Sequence, residues 1–489
     1  MIDIGKTYDE AAYPSDPVPL SSPDRLRAAG LFYGWRGADP ETASVLEIGC
    51  GAGHNIIAIA AAAPRSRCVG FDLSFGEIER GQAMASKAGI GNVVLSQGDI
   101  LTWPRNGEKF DYIVTHGVLT WLPHSVRAPL MELIGALLAP GGIAYISYDS
   151  LPQAAVKAAI NRLIVEETRH ITDQKERARR GIQLLALLSR TQREDSFFRQ
   201  QLDIVQRTFR NFQIGYFLHD WLEETYAPIA MGDLMAMAAA AGLRFAADAR
   251  LFDLHLRDWD EEALALLDSR DTLTARHETM HLLDGHRIFR EDLFVRADAP
   301  PPAEADPWSI LTFSYVGERT QSETDGVTST RFMINEGNYV EVRGTSDESV
   351  ILNLLHEISP NEISAGEIAA RSGLDGQVAR DMLRELASLG LVDVHASRQN
   401  FTTVPGVTPR VGPLARGTVL DKDVRPATLR HTSIEPQDDF TRLLLFLCDG
   451  TRTRAEIAAA MTAAMGKDVP IGHVDQAIAD VAASPVFES

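Results

Sequence analysis

The sequence has 489 residues, of which 45% are apolar and 23% charged, and its formal net charge is −20. This composition excludes a disordered chain, and at about 100–200 residues per domain it predicts roughly two to four domains. The excess of acidic residues argues against a nucleic-acid partner and against binding to an anionic membrane surface.

The chain contains three cysteines, Cys50, Cys68 and Cys448, and no CxxC pair. Because no cluster of cysteine and histidine ligands is present, we expect no zinc or iron–sulfur site and no other metal. The N-terminus is polar and lacks the pattern of a signal peptide, and the longest apolar run, residues 56–63, is too short to cross a bilayer. We therefore expect a cytoplasmic protein without membrane insertion.

Strand and helix signals alternate from residue 44 to residue 148. The apolar strand segments are Val45–Ile48, Cys68–Phe71, Val93–Leu95, Tyr112–Val114 and Ile143–Ile146. The helical segments between them include Asn55–Ala63, Phe75–Ala88 and Val126–Leu138. Such alternation predicts a parallel sheet with helices on both faces.

The pattern changes between residues 152 and 215, which read as long amphipathic helices with no strand signal. We interpret this segment as a helical insertion. A helix at Met231–Ala241 follows, and strand signals resume at Leu243–Phe252 and Ile288–Val295. Two late strands would complete a seven-stranded, doubly wound, Rossmann-like α/β sheet that begins before the insertion.

The clearest linker is the proline-rich segment 297–307. Beyond it, a weak internal repeat relates Leu354–Ala370 to Leu443–Ala459 at one constant offset. The first copy continues through a helical segment, Val378–Leu389, into a strand-like one, Leu391–Val394. This element order predicts α+β C-terminal domains of winged-helix type, although a wing in the second copy is not evident.

The strongest local signal is a glycine-rich loop between the first strand and the helix after it. Residues 47–53 read Glu-Ile-Gly-Cys-Gly-Ala-Gly. Glycines let a backbone turn sharply and approach a ligand closely. A dinucleotide fingerprint would need a third glycine where His54 stands, and no Walker-type lysine follows. The spacing resembles motif I of class I S-adenosylmethionine (SAM)-dependent methyltransferases, with a loop that binds no ligand as the alternative.

Acidic residues follow the next two strands. Asp72 lies about twenty residues beyond the loop, where a carboxylate accepts hydrogen bonds from a ribose diol. Capping of the next helix is the alternative role, which Ser74 could fill instead. Asp99 resembles the family's acceptor for the adenine amino group, and Ile100 would form an apolar wall beside it. Because ligands of open α/β sheets bind beyond the carboxyl ends of the strands, we expect these residues to gather there with His116.

Further segments resemble one family along nearly the whole chain. They are residues 8–26, His116–Pro123, Ser147–Asp149 and Phe217–Glu223, together with Leu138–Gly142 before the fifth strand. The family is that of bacterial methyltransferases with a "methyltransferase regulatory domain", which includes protein-lysine methyltransferases that act on outer-membrane proteins. The resemblance implies a Rossmann-like core that binds SAM, a helical insertion that forms a homodimer, and a protein acceptor.

The resemblance and the sequence pattern together divide the chain into six segments. These are 1–150, the first part of the SAM-binding core; 151–220, the helical insertion; 221–297, completion of the core; 298–348, a linker and middle region; 349–400, a winged-helix-like domain; and 401–489, a C-terminal domain and possible second unit of that type. The predicted cofactor contacts are Tyr13, Glu47, Gly49, Cys50, Gly51, Gly53, Asp72, Leu73, Asp99, Ile100 and His116. Tyr8 and Tyr13 would lie on a lid over the cofactor or on a plain N-terminal strap.

One segment departs from the family pattern. Members tend to have Asn-Thr-Tyr-Pro-Gly-Trp after the Ser-Tyr of the fifth strand, whereas residues 149–154 here read Asp-Ser-Leu-Pro-Gln-Ala. Because this region should face the methyl acceptor, the departure affects the expected substrate and leaves the expected cofactor unchanged.

Methyl transfer from a sulfonium is an in-line displacement in which the enzyme mainly positions and desolvates the reactants. A lysine acceptor must first lose a proton. The candidate proton acceptors are His116, Tyr148, Asp149, His219 and Asp220. Trp121 and Tyr148 are candidates to line an acceptor channel, where a ring face attracts a cation. A purely structural role is the alternative for each of them.

Three functions remain open on the sequence alone. The first is a protein-lysine N-methyltransferase, the second a methyltransferase of a small molecule or modified peptide, and the third a non-enzymatic regulator that binds DNA through a winged helix. The fourth strand lacks the [DNS]-P-P-[YFW] signature of enzymes that methylate nucleobase amino groups. The expected recognition helix, Gly376–Glu385, carries two arginines and two acids, which favours protein contact over DNA binding.

Overall fold

The structure is a computed structural model that describes residues 16–196, 198–202, 217, 220–251, 259–284, 287–300, 307–315, 317–324, 327–335, 338–343 and 346–489. Three residues singled out from the sequence, Tyr8, Tyr13 and His219, lie outside the described residues.

One large sheet forms the centre of the N-terminal half. Its strands are β1 (Ser44–Ile48), β2 (Arg67–Asp72), β3 (Val93–Gln97), β4 (Phe110–Thr115), β5 (Leu138–Leu151), β6 (Ile229–Ala230), β7 (Leu243–Asp248) and β8 (Phe289–Arg296). They are ordered β3-β2-β1-β4-β5-β8-β7, and the short β6 pairs with the end of β5. Strands β1 to β5 are parallel, whereas β8 runs antiparallel to both β5 and β7.

Helices connect these strands and cover both faces of the sheet. They are α1 (Pro23–Phe32), α2 (His54–Ala62), α3 (Phe75–Ala88), α4 (His124–Leu137), α5 (Ala155–Thr168), α6 (Gln174–Thr191), α7 (Met231–Ala240), α8 (Glu261–Asp268) and α9 (Leu273–Asp284). The predicted seven-stranded, doubly wound sheet is therefore confirmed. Strand β6 is an addition, because two residues are too few to show a strand period in the sequence.

The two faces of the sheet bury two separate cores, as the alternation of side chains along a strand requires. Val45 of β1 packs in one core with Ile56 of α2 and Ile78 of α3. The next residue, Leu46, packs in the other core with Leu130 of α4. This arrangement explains why the first strands read as continuous apolar runs, since both of their faces are buried.

The helical insertion has a small core of its own. Ile164 of α5 and Leu185 of α6 are buried there with Phe217 and Trp221. Helix α6 packs closely against Phe217 at Gly181, where a Cβ atom would lie 2.6 Å from the Phe217 ring. Dimerisation through this insertion stays a prediction.

Past the core, the chain forms a first winged-helix-type unit. It contains helices α10 (Asp347–Ile358), α11 (Ala365–Ser372) and α12 (Gly376–Ser388), and a small antiparallel sheet of β9 (Thr312–Ser314), β13 (Ile363–Ser364) and β14 (Asp393–His395). Strand β9 lies before residue 349, so this unit draws on the segment that the sequence predicted as a linker and middle region. That segment also forms a second antiparallel sheet of β10 (Arg319–Thr324), β11 (Val327–Asn335) and β12 (Asn338–Arg343).

The last unit repeats the three-helix arrangement. Helices α14 (Asp439–Leu447), α15 (Arg454–Met465) and α16 (Ile471–Val481) form this arrangement, and a shorter helix, α13 (Pro413–Thr418), precedes them. Both copies of the sequence repeat begin their second helix with a capping box, Ser364 with Glu367 in the first and Thr453 with Glu456 in the second. The sequence repeat therefore includes the same capping pair at the start of this helix in each unit.

The first winged-helix-type unit is bound to the core through α1. Asp24 Oδ1 accepts hydrogen bonds from the backbone amides of Ala396 and Ser397, both at 2.7 Å, and His395 Nδ1 lies 2.7 Å from Asp24 Oδ2. Burial opposes ionisation of Asp24, but the neighbouring His395 and Arg430 outweigh it and hold the pKa of this carboxyl well below its usual range.

The last unit packs against the core from the same side. A Cβ atom at Gly417 of α13 would lie 2.8 Å from Ala88 Cα at the end of α3, so the two helices touch backbone to backbone. Within the described residues, no helix combines the length and the apolar character that a membrane span needs.

Candidate active site

The glycine-rich loop leaves β1 and turns back on itself before α2. Gly49, Gly51 and Gly53 have φ angles of 71°, 53° and 74°, in the left-handed region that favours glycine. A Cβ atom at Gly49 would lie 2.6 Å from Val118 Cγ2, whereas no heavy atom of the described chain lies within 4 Å of the corresponding position at Gly51. The loop therefore presents bare backbone to open space at Gly51, which is room for a ligand.

Asp72 lies at the carboxyl end of β2 and fixes this loop. Its Oδ2 accepts a hydrogen bond from the Gly51 amide at 2.9 Å, and its Oδ1 accepts one from the Ser74 amide, also at 2.9 Å. Ser74 caps α3 by accepting from the Glu77 amide, so Asp72 is not the cap of that helix. The carboxylate and the exposed backbone of the loop thus share one edge of the sheet.

The ends of β2 and β3 continue this edge. Asp72 pairs in register with Gln97 of β3, whose side-chain amide donates to the Leu73 carbonyl at 3.0 Å. Asp99 Oδ1 accepts from the Leu101 amide at 2.9 Å, and Ile100 is buried. Asp99 and Ile100 thus follow β3 directly beside the end of β2, and the exposed Leu73 side chain lies at the same edge.

Cys50 and Glu47 lie behind the loop. Cys50 is buried, and burial raises the pKa of its thiol, so its side chain is a neutral packing group. Glu47 is also buried, and burial raises the pKa of its carboxyl to about 8. Its Oε1 accepts from Asn55 Nδ2 at 2.9 Å, so Glu47 supports the start of α2.

Asn55 extends this support to the last domain. Its Oδ1 lies 2.7 Å from Nε2 of His431, a buried residue with a positive φ of 59°. Because Asn55 Oδ1 can only accept, His431 Nε2 carries the proton. Burial lowers the pKa of His431 to about 3, which keeps the ring neutral. A residue of the last domain therefore holds the helix that begins at the glycine-rich loop.

His116 follows β4 and is held by a chain of polar side chains. Its Nδ1 lies 2.9 Å from the Tyr145 hydroxyl, which donates to Glu291 Oε1 at 2.8 Å, and Glu291 also pairs with Arg250. Since the Tyr145 proton goes to Glu291, His116 Nδ1 must be the donor to Tyr145. Burial lowers the pKa of His116, so the ring is neutral and carries its lone pair on Nε2.

Tyr148 does not take the role predicted for it. It is fully buried within β5, and its hydroxyl donates to Asp292 Oδ2 at 2.6 Å and accepts from Arg290 Nε at 3.2 Å. Its burial raises the pKa of the phenol well above the ordinary value. The structure contradicts the prediction that Tyr148 lines an acceptor channel, because no part of its side chain reaches solvent.

The ring of Trp121, by contrast, faces the positively charged side chain of Lys157. The ammonium group of Lys157, in the first turn of α5, is 5.2 Å from the Trp121 ring centroid, 5.8 Å from that of Trp221 and 4.8 Å from that of Tyr226. The same ammonium lies 2.8 Å from Asp149 Oδ2, which also accepts from the Tyr226 hydroxyl at 2.6 Å. We call this group of three rings and one carboxylate the lysine cage.

Asp220 adds a second carboxylate to the surroundings of the lysine cage. Burial raises its pKa to about 6, while the positive charge of Lys157 opposes the shift and the negative charge of Asp149 adds to it. A carboxyl with a pKa near 6 can accept a proton in the neutral range.

The lysine cage is attached to the end of β4 and to the end of β5. The Gly117 amide donates to Ser147 Oγ at 2.8 Å, and two residues farther along β5 the Asp149 amide donates to Thr120 Oγ1 at 2.9 Å. Because β1, β4 and β5 are parallel neighbours, the glycine-rich loop, His116 and the lysine cage lie along one carboxyl edge of the sheet.

Several residues of this edge were not selected from the sequence. Asn55, Tyr145, Lys157 and Tyr226 carry no motif, and His431 is distant in the chain from everything that it supports. Only Trp221 lies in a segment that resembled the family, and its neighbour Asp220 was chosen in its place.

Comparison with known proteins identifies the fold and the family. Residues 40–200 match a family model described as "Methyltransferase domain", residues 214–296 one described as "Predicted methyltransferase regulatory domain", and residues 408–483 one described as "PKMT, C-terminal winged helix domain". The uncharacterized protein RP028 of Rickettsia prowazekii is 33% identical over 223 residues, which are 45% of this chain and 88% of that protein. The chain belongs to the SAM-dependent methyltransferases that carry a methyltransferase regulatory domain.

Two further matches show how much of this methyltransferase is shared with other proteins. The uncharacterized protein RP789 of the same organism is 26% identical over 292 residues, 60% of this chain and 53% of that protein, so the alignment spans about half of RP789. The solved structure of PKMT2 from Rickettsia typhi in complex with AdoHcy superimposes with a TM-score of 0.81 at 20% identity, and the match covers 97% of this chain and 99% of that one. This likeness shows that the fold is shared over 97% of the chain.

The loop of this methyltransferase leaves open space at the edge of the sheet where the sequence predicts the cofactor. The missing side chain of Gly51 leaves space for a ligand against the backbone. Asp72 and Asp99 stand at adjacent strand ends, and the exposed Leu73 offers apolar surface beside them. That these residues contact the cofactor stays a prediction.

Proposed function

We propose that this methyltransferase is a protein-lysine N-methyltransferase. The observation that supports the proposal is the lysine cage, because it holds a lysine ammonium at the edge of the sheet where the glycine-rich loop ends. Aromatic ring faces attract a cation by about 0.5–2 kcal/mol each, and a buried carboxylate adds a charge-assisted hydrogen bond. The match of PKMT2 along the whole chain is consistent with this acceptor class.

When bound, SAM supplies an electrophilic methyl group on a sulfonium. The chain's own residues would hold it at Gly51 and Asp72 and leave the acceptor side to the lysine cage. The rings of the cage orient an amine and exclude water from it, which is the main contribution that a displacement at carbon needs.

The acceptor amine must lose a proton before it can react. Two groups on this edge are chemically suited to take it. His116 is neutral with its lone pair on Nε2, because Tyr145 fixes the tautomer. Asp220, with its pKa raised to about 6 by burial, stands beside the ammonium that the cage already holds. Asp149 is engaged with Lys157 and Tyr226, so we assign it to binding.

A second candidate is methylation of a small molecule or a modified peptide. It is favoured by residues 149–154, where this chain departs from the family pattern in the region that faces the acceptor. The departure has a structural counterpart, because Asp149 places a carboxylate in the lysine cage where the family tends to have an amide.

The two candidates are distinguished by the chemical form of the transferred methyl group. Bacterial membrane proteins, soluble proteins and a low-mass extract are each incubated with the enzyme and SAM that carries a radioactive methyl group. We expect label in acid-precipitated protein that survives hydrolysis as N-methyl-lysine. Label in the acid-soluble fraction, or a base-labile ester, would support the second candidate instead.

A pair of variants ties the result to the lysine cage. Trp121→Leu removes one ring of the cage and should raise the KM for the protein acceptor. Trp308→Leu removes an indole that packs on Phe32 of α1, 5.8 Å between ring centroids, and should leave that KM unchanged. Equal effects of the two variants would mean that the loss reflects stability and not acceptor binding.

A further inference from the structure

Lys157 occupies the lysine cage although it belongs to the enzyme itself. Its side chain is 17% exposed, so one side of it faces solvent. The cage residues come from three separate parts of the chain, namely the turn after β4, the end of β5 and residues 220–226. An ion pair between exposed side chains contributes little to stability, whereas Lys157 has three rings and a buried carboxylate around it.

The cage is suited to a cation on a flexible chain more than to a fixed structural ion pair. A buried structural ion pair needs hydrogen-bond partners for the ammonium protons. The Lys157 ammonium has Asp149 at hydrogen-bond distance and three ring faces around it. Rings accommodate an ammonium without fixing the direction of its protons, so the bound amine can be exchanged for another of the same class.

We propose that the lysine cage is the binding subsite for the side-chain ammonium of the acceptor lysine, and that Lys157 fills it as an internal stand-in which the acceptor must displace. This rests on the proposed function, since an acceptor of another class would have no use for the cage. Lys157 lies in the first turn of α5, at the start of the helical insertion. A small movement of that turn would therefore withdraw the ammonium and open the cage.

Internal occupancy lowers the apparent affinity for the acceptor, because only the fraction of molecules with an open cage can bind it. Removing the Lys157 ammonium should lower the KM for a lysine-containing acceptor, by about threefold or more. It should also leave a cation-sized space between the rings and Asp149 that a simple alkylammonium can fill.

The test uses the full-length chain and n-butylammonium as the probe. Thermal unfolding is measured with increasing n-butylammonium for the wild type, Lys157→Ala and Lys422→Ala. Lys422 is a matched control, because it also pairs with a carboxylate, Asp439 Oδ1 at 2.6 Å, but is 69% exposed. We expect the probe to raise the Tm of Lys157→Ala by about 3 °C at ten times its Kd, and to raise the Tm of the wild type and of Lys422→Ala by clearly less, because Lys157 must first leave the cage in both.

A folded Lys157→Ala that n-butylammonium does not stabilise would overturn the proposal and make Lys157 a structural ion pair. If this variant does not fold, the wild type provides the test through acylation of its lysines, followed by mass spectrometry. Butyltrimethylammonium should then speed acylation of Lys157 and leave Lys422 unaffected, and an unchanged rate at Lys157 would overturn the proposal.

The outcomes also separate this proposal from the proposed function. Binding of n-butylammonium to Lys157→Ala without any N-methyl-lysine product would keep the ammonium subsite and reject the protein acceptor. N-methyl-lysine formation with no change in the KM of Lys157→Ala would keep the reaction and reject displacement of Lys157.

Discussion

Replacing Gly51 by alanine should separate the cofactor site from the stability of the fold. Gly51 has a φ of 53°, and a Cβ atom there would meet no heavy atom of the described chain within 4 Å. Gly49 is unsuitable for this purpose, because its Cβ atom would lie 2.6 Å from Val118 Cγ2 and disturb the core. At Gly51 the new methyl group projects only into the space that the cofactor would fill.

The magnitude follows from two terms. Alanine in the left-handed region costs about 1–2 kcal/mol of folding free energy, which lowers Tm by a few degrees. A methyl group forced into a closely packed site costs a further ~1–3 kcal/mol, or roughly 5- to 150-fold in Kd for SAM. Gly466→Ala is the matched control, since Gly466 has a φ of 65° at the end of α15 and equally open surroundings.

The assay is calorimetric titration of SAM into the wild type, Gly51→Ala and Gly466→Ala, alongside their thermal unfolding. We expect similar losses of Tm in the two variants and a loss of SAM affinity in Gly51→Ala alone. If Gly51→Ala binds SAM with a Kd within twofold of the wild-type value, the cofactor does not occupy the space beside Gly51.

Three further predictions concern groups around the site. Burial holds the pKa of Glu47 at about 8, so its ionisation opposes folding and wild-type stability should fall as pH rises from about 4.5 through 8. Glu47→Gln should remove the part of that fall that lies between pH 6 and 8, about 3 kcal/mol at most, in Tm measurements from pH 6 to 9. Asp24 has a lowered pKa, so its stabilisation is present above pH ~4 and is lost as pH falls, and Asp24→Asn should cost about 2–4 kcal/mol at pH 7 in urea unfolding. Tyr148→Phe should cost about 1–2 kcal/mol through the lost bond to Asp292 and leave turnover unchanged, whereas a tenfold fall in kcat at unchanged stability would restore its catalytic role.

The sheet could be predicted from the sequence because its signals are local. Val45–Ile48 is apolar on both faces, and the glycines that follow it mark the turn, so periodicity and turn chemistry agree. The boundary of the first winged-helix-type unit could not be placed, because β9 is only three residues long and its partner β14 lies about eighty residues farther along the chain. Pairing of this kind depends on tertiary contacts, which a local pattern does not contain.

The candidate site could be predicted from the sequence only in part, as was the case for the fold. Strand ends meet at one edge of a parallel sheet, so Asp72, Asp99 and His116 could be placed there from their positions in the chain. The burial of the Tyr148 side chain could not be predicted, because a tyrosine in a strand can point toward the core or toward a cleft. Lys157 was missed because it stands on an ordinary amphipathic helix, and only the folded chain brings the rings around it.

A contact between two residues that are far apart in the chain could not be predicted from the sequence either. Asn55 follows the glycine-rich loop directly, but its partner His431 is 376 residues away in the chain. Nothing in a single sequence indicates that pairing. It links the last domain to the start of α2, so deletion of residues 401–489 should weaken SAM binding as well as stability.

The most direct test of the account is SAM binding by the wild type, Asp72→Ala and Asp111→Ala, each shown to be folded by circular dichroism. Asp111 is the control, because its Oδ2 also accepts from a backbone amide, that of Ser44 at 2.8 Å, but at the opposite edge of the sheet. We predict that the wild type and Asp111→Ala bind SAM, and that Asp72→Ala binds it at least tenfold more weakly. Equal binding by all three proteins, or no binding by a folded wild type, would contradict the assignment of the cofactor site.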